Sequence, residues 1–227
     1  MSLRFTRHSR TAVTEQGLEP AALVIAGWTG RDPAAVQHHI DELAALGVPA
    51  PSTVPLFYRV AGQQLTQSAA IEVVGEGSSG EVEPVLIAMA DGLWLGVGSD
   101  HTDRAAEAYS VALSKQLCPK PLGDTLWRFE ELAGHWDALV LRSYATWRGE
   151  RRLYQEGPVS GLRPPSELVD RFAGGGRLAA GTVMFCGTVP ARNGIHPAEL
   201  FEIELHDPIL GRTLRHRYEI RPLPVVS

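Results

Sequence analysis

The chain has 227 residues, a formal net charge of -5, 44% hydrophobic residues and 21% charged ones. That length is enough to bury a sizeable core, and a negative balance without a basic tract excludes nucleic acid as an expected partner. Cys118 and Cys186 form neither a ligand spacing nor a disulfide framework, so a reducing compartment is expected. The apolar run Ala21–Ala26 is far too short to span a membrane. No secretory pattern opens the chain, and a cytoplasmic protein is expected.

Read in order, Leu3-Arg4-Phe5 and Leu23–Ala26 are short strands. Asp32-Pro33 then supplies a carboxylate cap and a first-turn proline for a helix over 32–46, stopped by Gly47 and Pro49. Val36, Ile40 and Leu43 form its apolar arc, with His39 and Glu42 together on one flank and His38 and Asp41 on the far side. A histidine bordering the apolar face beside a carboxylate suits a general base, and equally suits a plain surface pair. Pro49–Pro55 reads as a linker, Val54–Val60 and Ile71–Val74 as extended, and Gly75–Gly80 as a turn-rich loop.

Glu81-Val82-Glu83 opens the next strand. Alternation puts both carboxylates on one face, with Val82 and Val85 packing behind. The pattern fits a hard divalent cation with oxygen ligands, and alone it also fits a solvated strand face. The Asp91-Gly92 turn makes a hairpin with Leu93–Val97, which returns Asp100 towards Glu81. Asp103 caps a helix expected from Arg104 to Ser114, with Ala105, Ala108, Tyr109, Ala112 and Leu113 inward and Lys115 at its end. Helix-terminal charge alone accounts for a lysine there.

Cys118–Gly123 is irregular because of its two prolines. A short helix around Phe129–Leu132, strands Ala138–Tyr144 and Arg151–Tyr154, and a helix Pro165–Phe172 follow. Thr182–Cys186 runs into the small-residue loop Gly187–Pro190, and Leu200–Leu205 pairs with Thr213–Ile220 as a hairpin. The five tryptophans read as packing residues, and His101 as a neighbour supporting a ligand set. Arg142 and Arg148 are candidates for a substrate carboxylate. The organisation is mostly β (α+β), without a Walker loop, dinucleotide fingerprint, His-Glu-x-x-His or Gly-x-Ser-x-Gly.

Five segments in this order resemble the fumarylacetoacetate hydrolase superfamily, in its branch of short bacterial proteins filed as a domain of unknown function, DUF2848-like. They are Ala26–Arg31 with His39-Ile40-Asp41-Glu42, Pro55–Arg59, Glu81-Val82-Glu83 with Asp100, Ser114–Pro119, and Gly181–Pro190. The resemblance covers the chain from about residue 23 to the end. It implies a single domain over 1–227, a mixed β-sandwich or roll with a few short helices. Residues 1–60 would form an annex carrying a lid helix. It further implies Mg2+ or Mn2+ held by Glu81, Glu83 and Asp100, catalytic His39, Glu42 and Lys115, and substrate contacts from Arg31, Tyr58, Gly187 and Thr188. The implied reaction is hydrolysis of a C–C bond in a small 2-oxo or β-dicarbonyl acid by a homodimer. A decarboxylase, isomerase or hydratase, or a non-catalytic binding protein on the same fold, competes with it. Pro84, Ala88–Asp91, Thr182 and Val189 depart from the family pattern, and these departures bear on the pocket walls rather than on the ligands.

Overall fold

The computed structural model of the protein describes residues 2–45 and 49–226, apart from the Leu43 side chain. Strands β1 (Leu3–His8), β2 (Val13–Leu18) and β3 (Ala22–Gly27) precede helix α1 (Pro33–Ala45). Then come β4 (Leu56–Val60), β5 (Leu65–Thr66), β6 (Ala70–Val74), β7 (Ser78–Ser79), β8 (Val82–Met89) and β9 (Gly92–Ser99). Next are β10 (Thr102–Asp103), α2 (Arg104–Glu107), α3 (Val111–Leu117), β11 (Lys120–Pro121) and β12 (Thr125–Arg128). The chain ends with β13 (Val140–Trp147), β14 (Glu150–Pro158), α4 (Pro165–Ala173), β15 (Thr182–Phe185), β16 (Leu200–Asp207) and β17 (Arg212–Leu223).

Eight strands form one sheet in the order β2-β1-β12-β9-β8-β15-β3-β4, and five form a second in the order β14-β13-β16-β17-β6. One core lies between them, joining Val24, Leu86 and Leu95 to Leu141, Phe201 and Leu205. A second core joins Leu3 and Phe5 of β1 to Ile25 and Val60 near the other edge of the same sheet, so the larger sheet rolls around it. The expected mostly-β sandwich or roll is therefore the observed fold. Strand β8 is buried on both faces along its whole length, which explains the continuous apolar run Val85–Met89.

Three local expectations need correction. The helix expected over Arg104–Ser114 is two helices, because the Ser110 hydroxyl accepts from the Leu113 N–H and starts α3 afresh. Tyr109 and Leu113, expected inward, are 80% and 42% exposed, while Ser114 and Lys115 are buried. Val85 does not pack behind the carboxylates: Val82, Leu86 and Ala88 enter the inter-sheet core, and Val85, Ile87 and Met89 enter the other. By strand parity Glu83 shares the Val85 face.

Helix α1 is capped as expected, the Ala34 N–H donating to Asp32 Oδ1 at 2.9 Å. Val36 and Ile40 are buried. Leu43's side chain and the stop at Leu46–Gly47 lie outside the described residues. His38 is 77% exposed, away from the buried arc, with its Nε2 3.3 Å from Glu42 Oε1, and Asp41 pairs with Gln37. Strand β2 is an addition that its polar sequence did not announce.

The β16–β17 turn is held by Asp207, which is fully buried. It accepts from the Ile209 and Leu210 N–H groups and lies 3.1 Å from His135 Nε2 and 3.3 Å from Arg212 Nε. Burial alone would raise its pKa, but the Leu210 amide, His135 and Arg212 outweigh it and hold the carboxyl below its ordinary value. A depressed carboxyl contributes stability above its unfolded pKa of about 3.9, lost as pH falls through the folded value. Asp207→Asn is expected to cost about 2 to 3 kcal/mol at pH 7. The variant and parent should converge in urea titrations as the pH drops below that range.

Candidate metal centre

The β8–β9 hairpin pairs Val82 with Ser99 and Glu83 with Gly98, so the start of one strand lies beside the end of the other. Glu81 precedes β8 and Asp100 follows β9, and the Asp100 N–H donates to the Glu81 carbonyl at 3.0 Å. One oxygen from each of Glu81, Glu83 and Asp100 lies within 4.8 Å of the others. The hairpin thus brings together the three carboxylates that the sequence singled out.

Their surroundings are unequal. Glu81 Oε1 lies 3.0 Å from Arg104 Nη2 and Oε2 3.9 Å from Lys115 Nζ. Asp100 is fully buried; Lys115 donates to its Oδ2, and Lys120 Nζ lies 3.2 Å from Oδ1. Burial raises the Asp100 pKa, but the two ammonium groups hold it below the usual range. Lys115 is driven the other way, Asp100 and Glu81 overcoming its desolvation and keeping it protonated.

Glu83 is only 2% exposed and has no ion pair among the described residues. Its Oε2 accepts one hydrogen bond, from the Gly187 N–H at 2.7 Å. Burial, then the Asp100 and Glu81 charges, push its pKa well up. A buried carboxylate beside two others, without a counter-cation of its own, is what a divalent ion would relieve. The donor set fits a hard cation: oxygen atoms only, convergent, from three carboxylates.

The other proposed residues lie at graded distances. Lys115 Nζ sits 5.8 Å from the Tyr58 ring centroid, and Trp28 Nε1 donates to Tyr58 Oη at 3.2 Å. Trp28 holds a φ of 59° and its ring lies 5.8 Å from that of His39. His39 is thus linked to the centre through two aromatic side chains; it is 61% exposed, with Glu42 3.6 Å away. Arg31 is engaged elsewhere, by both oxygens of Asp137 and the Leu162 carbonyl. Gly187 has a φ of 102°, and a Cβ there would overlap Thr29 Oγ1, so only glycine lets this loop reach Glu83. Thr188 donates to the Val82 carbonyl at 2.8 Å.

Arg142 pairs with Glu156 on the second sheet, and Arg148 occupies the β13–β14 turn; the contacts described for them are outside this centre. His101 is fully buried, with Nδ1 3.0 Å from Tyr218 Oη and Nε2 2.9 Å from Ser78 Oγ. Tyr218 Oη is 2.8 Å from Ser99 Oγ, which accepts from the Glu81 N–H. Burial pushes His101 down to about 3, so it serves as a neutral brace.

Arg104 and Lys120 are charged side chains of this centre that the sequence reading missed. Arg104 lay in view beside the Asp103 cap. Lys120 left one trace, a charge inside the apolar run Leu117–Leu122. Its ammonium is fully buried and donates to the His101 carbonyl.

This is a carboxylate-centred site on a rolled β fold. A family model described as "Protein of unknown function (DUF2848)" matches residues 26–218, and the chain belongs to that family. Among solved structures it is similar to Cg1458 with inhibitor, at 16% identity and TM-score 0.68 over 98% of this chain and 90% of that one. It is also similar to 2-keto-3-deoxy-D-arabinonate dehydratase complexed with magnesium and 2,5-dioxopentanoate, at 14% identity and TM-score 0.60 over 93% and 77%. Both neighbours belong to the fumarylacetoacetate hydrolase superfamily, whose fold this chain shares. No curated protein matches it by sequence. No helix among the described residues is long and apolar enough to cross a membrane.

Two substitutions should act in opposite directions on the metal-free protein. Glu83→Gln removes a crowded buried charge and should raise the thermal midpoint. Lys120→Met removes one of the two cations on buried Asp100 and leaves the His101 carbonyl without its donor, and should cost about 3 kcal/mol in urea unfolding.

Proposed function

We propose that the protein is a Mg2+- or Mn2+-dependent enzyme acting on a small 2-oxo or β-dicarbonyl acid, cleaving a C–C bond by hydrolysis. The observation that carries the metal-dependent part is the convergence of Glu81, Glu83 and Asp100 with Glu83 lacking a counter-cation. Glu81, Glu83 and Asp100 would hold the ion. Bound there, it supplies positive charge to a carbonyl oxygen as negative charge develops. Magnesium and a dioxo acid together in a neighbour of the same fold support this substrate class.

The chain's own groups divide the remaining work. Lys115, kept protonated by Asp100 and Glu81, offers its N–H groups to the substrate carboxylate. The Gly187 N–H orients Glu83, and Thr188 is held next to it by Val82. Tyr58, raised in pKa by burial, remains a neutral phenol on the wall beside Lys115. Hydrolysis also needs a base for water, and His39 with Glu42 is the candidate. In the structure His39 stands behind Trp28 and Tyr58, so that role requires α1 to close towards the carboxylates.

The exposure of His39 favours a second reading, a dehydratase- or decarboxylase-like reaction that uses the same carboxylate half and no water-activating histidine. One neighbour of the same fold is itself a 2-keto acid dehydratase, which points the same way.

Calorimetry with Mn2+ tests the metal. Glu81→Gln, Glu83→Gln and Asp100→Asn should each weaken binding more than about 100-fold, beyond the 10- to 100-fold typical of outer partners. Absence of binding to the parent would remove the reading. With a panel of small β-diketo and 2-oxo acids, His39→Ala should lower kcat at least about 100-fold for hydrolysis. An unchanged kcat would favour the second reading.

A further inference from the structure

Strand β14 departs from strict alternation at one place. Its register against β13 slips between Ser143 and Tyr144: Ser143 pairs with Gln155, and Tyr144 with Leu153. Tyr154 is the extra residue of a bulge, and Tyr154 and Gln155 are both buried as neighbours in sequence. Bulges re-aim side chains, often beside functional sites. Here the slip turns an amide out of the second sheet and into the gap between the sheets.

That amide is fully used. Gln155 Oε1 accepts from the Val82 N–H at 3.0 Å and from Ser143 Oγ at 2.9 Å. Its Nε2 donates to Thr188 Oγ1 at 2.8 Å and to the Val189 carbonyl at 2.6 Å. The Val82 N–H can only donate and the Val189 carbonyl can only accept, so the orientation of the amide is fixed by its neighbours. Two donors and two acceptors are satisfied, and the group is only 1% exposed.

The partners matter more than the count. Val82 separates the two glutamates, and Gly187 and Thr188 are the loop residues that touch Glu83 and the Val82 carbonyl. We infer that Gln155 is a positioning residue: it locks the Gly187–Val189 loop in register with the Glu81–Glu83 pair, so the loop is preset for a substrate's oxygen atoms. It acts through Thr188, Val189 and Val82, not by touching a ligand. An apolar side chain of equal length would leave buried groups on three segments unpaired, and the loop would be tied to β8 only by its own Gly187 and Thr188 bonds. Since the three carboxylates are carried by the β8–β9 hairpin itself, losing the amide should loosen the loop more than the carboxylates.

The test compares the parent with Gln155→Met and the milder Ser143→Ala, which removes one of the four bonds. Amide hydrogen exchange is followed in the metal-free protein, and Mn2+ and then oxalate are titrated by calorimetry. The oxalate arm rests on the function proposed above; the exchange arm does not. In Gln155→Met, exchange at 187–189 should rise at least about tenfold, one lost buried hydrogen bond corresponding to about that factor; the Val82 N–H, which loses its acceptor, should rise with it, while 85–89 stays unchanged. Mn2+ affinity should hold within about threefold, with oxalate affinity for the Mn2+-loaded protein falling at least about tenfold on the same scale. Ser143→Ala should show smaller shifts in the same direction.

Unchanged exchange at 187–189 would overturn the inference. So would a uniform rise across the whole sheet, or equal losses of Mn2+ and oxalate, which a merely structural role would give. A parent that binds no Mn2+ removes the functional reading, and the exchange arm still decides the role of Gln155.

Discussion

Three carboxylates crowded at one end of two paired strands are the constraint on which the site depends. Coulomb repulsion between close charges grows as water is excluded, and Asp100 and Glu83 are nearly or fully buried. The protein answers with three cations placed unevenly. Lys115 and Lys120 both serve Asp100, Arg104 serves Glu81, and Glu83 receives only a backbone N–H. The imbalance leaves a directed deficit of positive charge at Glu83, unlike a closed salt-bridge cluster.

Such a deficit is maintained only by a stiff frame. The β8–β9 hairpin is buried on both sides, and the chain Ser78–His101–Tyr218–Ser99 ties the Asp100 end of it to the second sheet. His101 contributes as a neutral hydrogen-bonding ring, because burial makes its charged form too costly. On the other side Gly187 approaches Glu83 through a backbone conformation reserved for glycine. The centre is thereby braced by buried side chains on one side and by backbone on the other.

Much of this was legible in the sequence, for identifiable reasons. The Asp91-Gly92 turn and the flanking apolar runs announce the hairpin, and the hairpin alone dictates that 81, 83 and 100 converge. Asp32-Pro33 announces α1, and Gly174 closes α4 in the left-handed conformation expected there. What escaped depends on events that leave little local trace. Ser110 out-competes helix continuation through its own hydroxyl. Lys120 acquires its meaning only when Asp100 folds over it, and the bulge at Tyr154 is set by pairing rather than by propensity. Arg31 and Arg142, plausible anion contacts by type, are taken up by Asp137 and Glu156 across the chain.

The hairpin has one more implication. From Glu81 to Lys120 the chain carries all three acidic ligand candidates and every cation that answers them, in one uninterrupted segment. The electrostatic inventory is therefore local in sequence, while the frame that holds it, Tyr218 and Gly187 among it, comes from elsewhere in the chain. Strand β14, the 187–190 loop and α1 lie outside that segment, free to diversify what that balance is applied to.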